Sequence, residues 1–236
     1  MTGMYHILAT ADPGTGAAAT AQAAGAQLDI VPFIATTLTD DEHIWAQVNM
    51  LAVQSRHVIF TSANAVLAVS RVLNGRTVSG WDIWCLKGKT EELVREVFAG
   101  CRIQALGMES RVLGNAICTL DIKNVVFFCG NIRMNTLPDI LNKAGVTITE
   151  VVVYETTHTP VKLARDYDAV LFYSPSAVDS FFSANAPATD CCMAAIGNTT
   201  AGALRRYRPG GNIVVSETQT KDAVLETAIA CVNKRI

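Results

Sequence analysis

Serine and threonine hydroxyls recur at one kind of position in this chain of 236 residues: just after a short apolar run and just before a helical pattern. Thr10, Thr61, Ser62, Thr90, Ser174, Ser176, Thr199 and Thr200 all fit this description. Residues 168–182 show the arrangement most fully. Residues 169–172 are a run of β-branched, aromatic and aliphatic side chains, the pattern of a strand buried on both faces. Ser174-Pro175-Ser176 follows, with a serine placed to cap a helix and Pro175 suited to its first position. Ala177, Val178, Phe181 and Phe182 then share one helical face. Taken singly, such a hydroxyl is more often a helix cap than a ligand contact. Taken together, hydroxyls at helix starts supply neutral donors beside free backbone N–H groups, which suits a polyanion without a cluster of arginines. Lys87, Lys89 and Arg133, in loops of the same kind, add local charge. No Ser/His/Asp set is suggested by spacing, and paired carboxylates at strand ends are missing.

The same pattern is written twice. Val58, Phe60, Ser62, Ala65 and Val66 read in step with Val170, Phe172, Ser174, Ala177 and Val178. A second echo follows each copy: strand, Lys87-Gly88-Lys89-Thr90 and helix in one, strand, Gly197-Asn198-Thr199-Thr200 and helix in the other. A duplicated α/β unit explains both.

Composition excludes several classes. Half the residues are hydrophobic, ample for a core, and the net charge of −2 with no basic tract argues against nucleic acid. No apolar stretch approaches the roughly 20 residues that span a bilayer, and residues 1–10 lack a secretion-signal pattern. The seven cysteines form no CxxC and read as buried thiols of a cytoplasmic protein. The four histidines show no metal-ligand spacing, so no metal is expected.

Strands alternate with helices along the chain, which implies parallel sheets. About five strands fall in each half, suiting a flavodoxin-like order. Connectors at 33–38 and 154–160 place residues 1–35 and 158–236 in one discontinuous α/β domain, with 36–157 inserted as a second. Two Rossmann-like lobes joined by a two-connector hinge, with a cleft between them, are the expected architecture. Thr39 and Glu42 read as a capping box opening a helix whose buried face carries Ile44, Trp45, Val48, Leu51 and Ala52.

Two motifs tempt and fail. Gly14-Thr15-Gly16 opens a helix after the first strand, as in a dinucleotide fingerprint, but no acid ends the second strand to hold a ribose. Gly88-Lys89-Thr90 resembles the end of a P-loop, yet Ile83 stands where its first glycine belongs.

Four ordered segments resemble the uroporphyrinogen-III synthase family: residues 59–66 (IFTSANAV), 151–156 (VVVYET), 172–178 (FYSPSAV) and 195–201 (AIGNTTA). The resemblance implies two α/β lobes and a cofactor-free reaction, in which linear hydroxymethylbilane loses water and closes to uroporphyrinogen III with its last pyrrole ring inverted. It places Tyr154 nearest the chemistry and makes Thr200 and Thr90 counterparts. The carboxylates of the substrate are then expected at helix-start N–H groups, those of Ala63, Ala177 and Gly197 included. Thr10, Thr61, Ser62, Lys87, Thr90, Arg133, Ser174, Ser176, Thr199 and Thr200 complete the expected contacts, in a monomer needing no partner besides its substrate. The chain departs from the family pattern at Ala11-Asp12, where arginine is common, and at Lys87, where glycine is. The alternatives are a non-catalytic two-lobed cytosolic binder of small molecules, or an oxidoreductase using the Gly14-Gly16 loop.

Overall fold

The computed structural model describes residues 4–234; residues 1–3, part of the stretch read for a signal, and 235–236 lie outside the described residues. In chain order the elements are β1 (Tyr5–Ala9), α1 (Ala17–Ala23), β2 (Ala26–Ile30), β3 (Ile34–Leu38), α2 (Glu42–Ala52), β4 (Arg56–Phe60) and α3 (Ala63–Leu73). Next come β5 (Trp81–Cys85), α4 (Lys89–Val97), β6 (Arg102–Ala105), α5 (Ser110–Cys118), β7 (Asn124–Gly130), α6 (Thr136–Lys143) and β8 (Thr147–His158). The chain closes with β9 (Ala169–Phe172), α7 (Pro175–Phe182), β10 (Cys192–Ala195), α8 (Asn198–Tyr207), β11 (Ile213–Val215) and α9 (Lys221–Asn233). Two compact units result, Met1–Ala35 with Thr157–Ile236, and Thr36–Thr156. The chain passes from one to the other within β3 and again within β8.

The first unit holds a five-stranded sheet in the order β11-β10-β9-β1-β2 with parallel neighbours. Numbered within the unit, that is the 2-1-3-4-5 order of flavodoxin-like folds. Apolar helices cover both faces, so β9 and β10 are buried at every residue. This is why those strands read as unbroken apolar runs. One face packs against α1 and α9, the other against α7 and α8, where Phe172 and Phe181 meet edge to face at 5.3 Å. Thr10 lies at the end of β1 with no exposure, and its hydroxyl donates to the Leu171 carbonyl at 2.7 Å.

The second unit holds a six-stranded sheet, β3-β8-β7-β4-β5-β6. Its β4–β8 core runs 3-2-1-4-5 when counted outward from β4, the order of a Rossmann half, with β3 added beside β8. Trp81, Phe98, Phe60 and Phe128 pack as one aromatic cluster, and the Trp81 indole N–H donates to the Leu51 carbonyl at 3.0 Å. On α2 the cap is Asp41, whose carboxylate accepts from the His43 N–H at 2.8 Å, and not Thr39 as the capping-box reading has it. Trp45 is correspondingly 37% exposed, its indole N–H turned back to the Thr39 carbonyl, while Val48, Leu51 and Ala52 face the core.

Each sheet has a point where the strand order reverses: between β1 and β9 in the first unit, between β4 and β7 in the second. Outside the carboxyl ends of such a strand pair, the helices that follow depart to opposite faces and leave a crevice, where open α/β sheets bind ligands.

Candidate active site

In the second unit that crevice is bounded by Thr61 and Ser62 after β4 and by Gly130 and Asn131 at the end of β7. Ser62 caps α3, its hydroxyl oxygen accepting from the Asn64 N–H at 3.2 Å. The same oxygen accepts a second bond, from the Tyr154 phenol at 3.2 Å. Tyr154 comes from β8 and is 8% exposed. Burial pushes its pKa up; the Ser62 hydrogen bond pulls it down and the nearby Cys129 pushes it up. The Cys129 thiol is itself raised to about 11, chiefly by burial. Near neutral pH the phenol is therefore protonated and uncharged.

Arg133, in the loop after β7, is paired with Glu150, and its Nε is buried without a partner. Its charge is thus largely answered within the unit. Lys89 pairs with Glu92 at 3.3 Å on the surface, whereas Lys87 is exposed, its backbone N–H donating to the Gly107 carbonyl.

The two echoes prove to be two distinct devices. Ser62 and Ser174 both cap their helices with a side chain, Ser174 accepting from the Ala177 N–H at 3.2 Å, with Pro175 in the first turn. Gly88 and Gly197 begin α4 and α8 with no side-chain cap, which leaves first-turn N–H groups open to an anion. Thr90 and Thr200 sit inside the first turns of these helices at 8% and 3% exposure, and Thr199 is exposed. Gly88 has a φ of 85°, Gly197 an extended one. The turn before α4 therefore has its left-handed residue at Gly88, and Lys87 needs no positive φ.

In the first unit, Ser174 and Ser176 follow β9 at the reversal point, half-buried. Thr10 does not join them: its hydroxyl is engaged within the sheet. Tyr173, which sequence reasoning passed over, lies there with its hydroxyl buried and unpartnered, and Lys221 stands 5.7 Å over its ring. The Gly14-Gly16 loop leads only to the seven-residue α1, and Asp29, the one acid of the second strand, accepts from the Tyr167 phenol at 3.0 Å. The oxidoreductase alternative finds no support there.

Two doubly wound units, each with hydroxyl-bearing residues after its strands, and a buried phenol at one reversal point define the class: a two-unit α/β protein of parallel sheets. A family model described as uroporphyrinogen-III synthase HemD matches residues 16–226, and the chain belongs to that family. Among curated proteins no sequence relative was found. Solved structures share the fold. One is a mutant uroporphyrinogen III synthase from the extremely thermophilic bacterium Thermus thermophilus, 15% identical, with a TM-score of 0.72 over 98% of this chain and 99% of that one. Another is a uroporphyrinogen-III synthetase from Helicobacter pylori, 18% identical, with a TM-score of 0.65 over 96% and 99%.

Proposed function

We propose that this chain is a hydro-lyase that closes linear hydroxymethylbilane to uroporphyrinogen III. The family assignment supports the reaction, and the Tyr154–Ser62 pair at the β4/β7 reversal point is the single observation that carries the assignment of roles. The leaving hydroxyl of the substrate must depart as water, so it needs a proton or a strong hydrogen bond. The Tyr154 phenol supplies it by turning its one proton from Ser62 Oγ to the departing hydroxyl, the Ser62 hydroxyl then donating to the phenol oxygen. A phenol, with an unperturbed pKa near 10, is a weak acid; its proton goes to the hydroxyl as the C–O bond breaks and water leaves, and the proton that the ring loses once the new C–C bond has formed returns to the phenol.

The greater task is positioning. The bilane closes unaided without inverting its last ring, so the enzyme must select which ring carbon attacks. Holding the reacting ends in one geometry is worth about 7–11 kcal/mol. With a net charge of −2, the protein does not gather an octacarboxylate by long-range attraction. Its carboxylates are instead taken by helix-start N–H groups, including those of Ala63 and the uncapped starts of α4 and α8. Thr61, Ser62, Ser174, Ser176, Thr199 and Lys87 assist. Thr90 and Thr200 are buried within these first turns.

Tyr154→Phe is the direct test. The variant keeps the ring, and turnover of freshly prepared hydroxymethylbilane is expected to fall by about 10²-fold, the usual worth of a placed acid. Turnover equal to the parent enzyme would remove Tyr154 from the chemistry.

A further inference from the structure

We propose that Gly130 and Asn131, at the end of β7, are positioning residues that aim the Tyr154 phenol; the proposal rests on the reading of Tyr154 given above. The starting observation is a break in register. β7 and β8 pair one to one from Asn124 with Thr147 to Cys129 with Val152, and then Gly130 pairs with Tyr154. Val153 is therefore an extra residue, a bulge on β8. Alternation alone would bury Val151 and Val153 and turn Tyr154 outward. Instead Val151 is 1% exposed, Val152 36%, Val153 0% and Tyr154 8%. The bulge puts two successive side chains inside and so brings the phenol to Ser62. Bulges re-aim side chains beside active sites in this way.

Gly130 makes room for the result. A Cβ at this position would lie 2.5 Å from Cε2 and Cζ of Tyr154 and 2.9 Å from its hydroxyl oxygen. Its φ is not in the left-handed region, so the backbone makes no demand for glycine here. The ring does. Any side chain at residue 130 displaces the phenol, and with it the bond to Ser62.

Asn131 restores the ladder beyond the bulge. Its backbone N–H donates to the Tyr154 carbonyl at 3.2 Å. Its side-chain Oδ1 accepts from the Thr156 N–H at 2.7 Å, while Nδ2 donates to the Thr156 carbonyl at 3.2 Å. The side-chain amide thus stands in for a peptide of β7, pinning β8 on the far side of Tyr154. Gly130 sets where the ring lies and Asn131 sets where its backbone lies.

A cycle of variants tests this, with kcat and KM for hydroxymethylbilane measured for Gly130→Ala, Tyr154→Phe, the double variant, Asn131→Ala and Asn131→Asp. Gly130→Ala is expected to lower kcat on the order of 10²-fold, as a misplacement of about 1 Å does, with KM unchanged. In the Tyr154→Phe background the same substitution should cost nothing further. Asn131→Ala, at an exposed residue, should lower kcat about tenfold, and Asn131→Asp, which keeps the acceptor for Thr156, should recover part of it. A parent-like kcat in Gly130→Ala, or an equal loss in both backgrounds, would overturn the proposal while leaving Tyr154 in its role. A parent-like kcat in Tyr154→Phe would remove both. Should Gly130→Ala not fold, an unaltered kcat in Asn131→Ala overturns the proposal alone.

Discussion

The role proposed for Tyr154 needs a phenol that stays protonated near neutral pH, and burial keeps it so. Burial raises its pKa above the ordinary value near 10, so between about pH 7 and pH 10 it does not ionise. Turnover is therefore expected to show no loss traceable to Tyr154 in that interval and to fall at higher pH, a limb absent from Tyr154→Phe. A descending limb below about pH 9 that vanished in Tyr154→Phe would contradict the account. The same shift bears on stability. A group whose folded pKa is raised contributes stability that is complete below the unfolded value and is lost as pH rises through the folded one. Tyr154 should thus weaken the fold only above about pH 10. At this scale the sequence was partly legible. Ser174-Pro175 announced a cap and a first-turn proline, and both are there. Thr10 misled, because position after a strand does not reveal which way a hydroxyl turns; the neighbouring Leu171 carbonyl took it. Arg133 looked available for substrate, and only the fold brings Glu150 beside it.

Helix starts are the element on which the binding argument turns, and the two kinds respond differently to mutation. Ser174→Ala removes the acceptor of the Ala177 N–H and should cost about 1 kcal/mol in urea unfolding. Ser62→Ala should cost a similar amount and also lower turnover, since it takes the partner of the Tyr154 phenol. At the glycine starts the contrast is conformational. Gly88→Ala forces a side chain to a φ of 85° and should destabilise by about 1–3 kcal/mol. Gly197→Ala has extended backbone and meets only the end of Gln219, at 3.3 Å, so it should fold normally and lose affinity for substrate instead. Equal stability losses at the two glycines would contradict this division. Elements of this kind were legible because strand, small polar loop and apolar helix face carry distinct periods. The start of α2 was not, since Thr39 and Asp41 are both good caps, and the Asp41 carboxylate is the one that reaches the His43 N–H. The bulge on β8 was hidden altogether: Val151-Val152-Val153-Tyr154 is apolar throughout and carries no mark of a break in alternation, and only pairing with β7 exposes the extra residue.

At the scale of the whole chain, the paired motifs suggest a duplication, the two connectors an insertion and the strand count a flavodoxin-like order in each half, which the first unit has and the second does not. Periodicity states that a helix follows a strand, not to which side the next strand returns. The first unit returns in the flavodoxin order and the second in that of a Rossmann half, and each order creates its own reversal point. The chain carries the phenol at one of these points and hydroxyl-bearing helix starts in both units, so residues from both should affect turnover. The proposed function is to hold a flexible octacarboxylate so that its last ring joins inverted. The isomer composition of the product tests this claim most directly. Purified protein is given freshly prepared hydroxymethylbilane, and the oxidised porphyrin is resolved into its isomers. The account expects the inverted type III isomer to predominate, in proportion rising with enzyme concentration. A product consisting only of the non-inverted isomer formed by the bilane alone would contradict it.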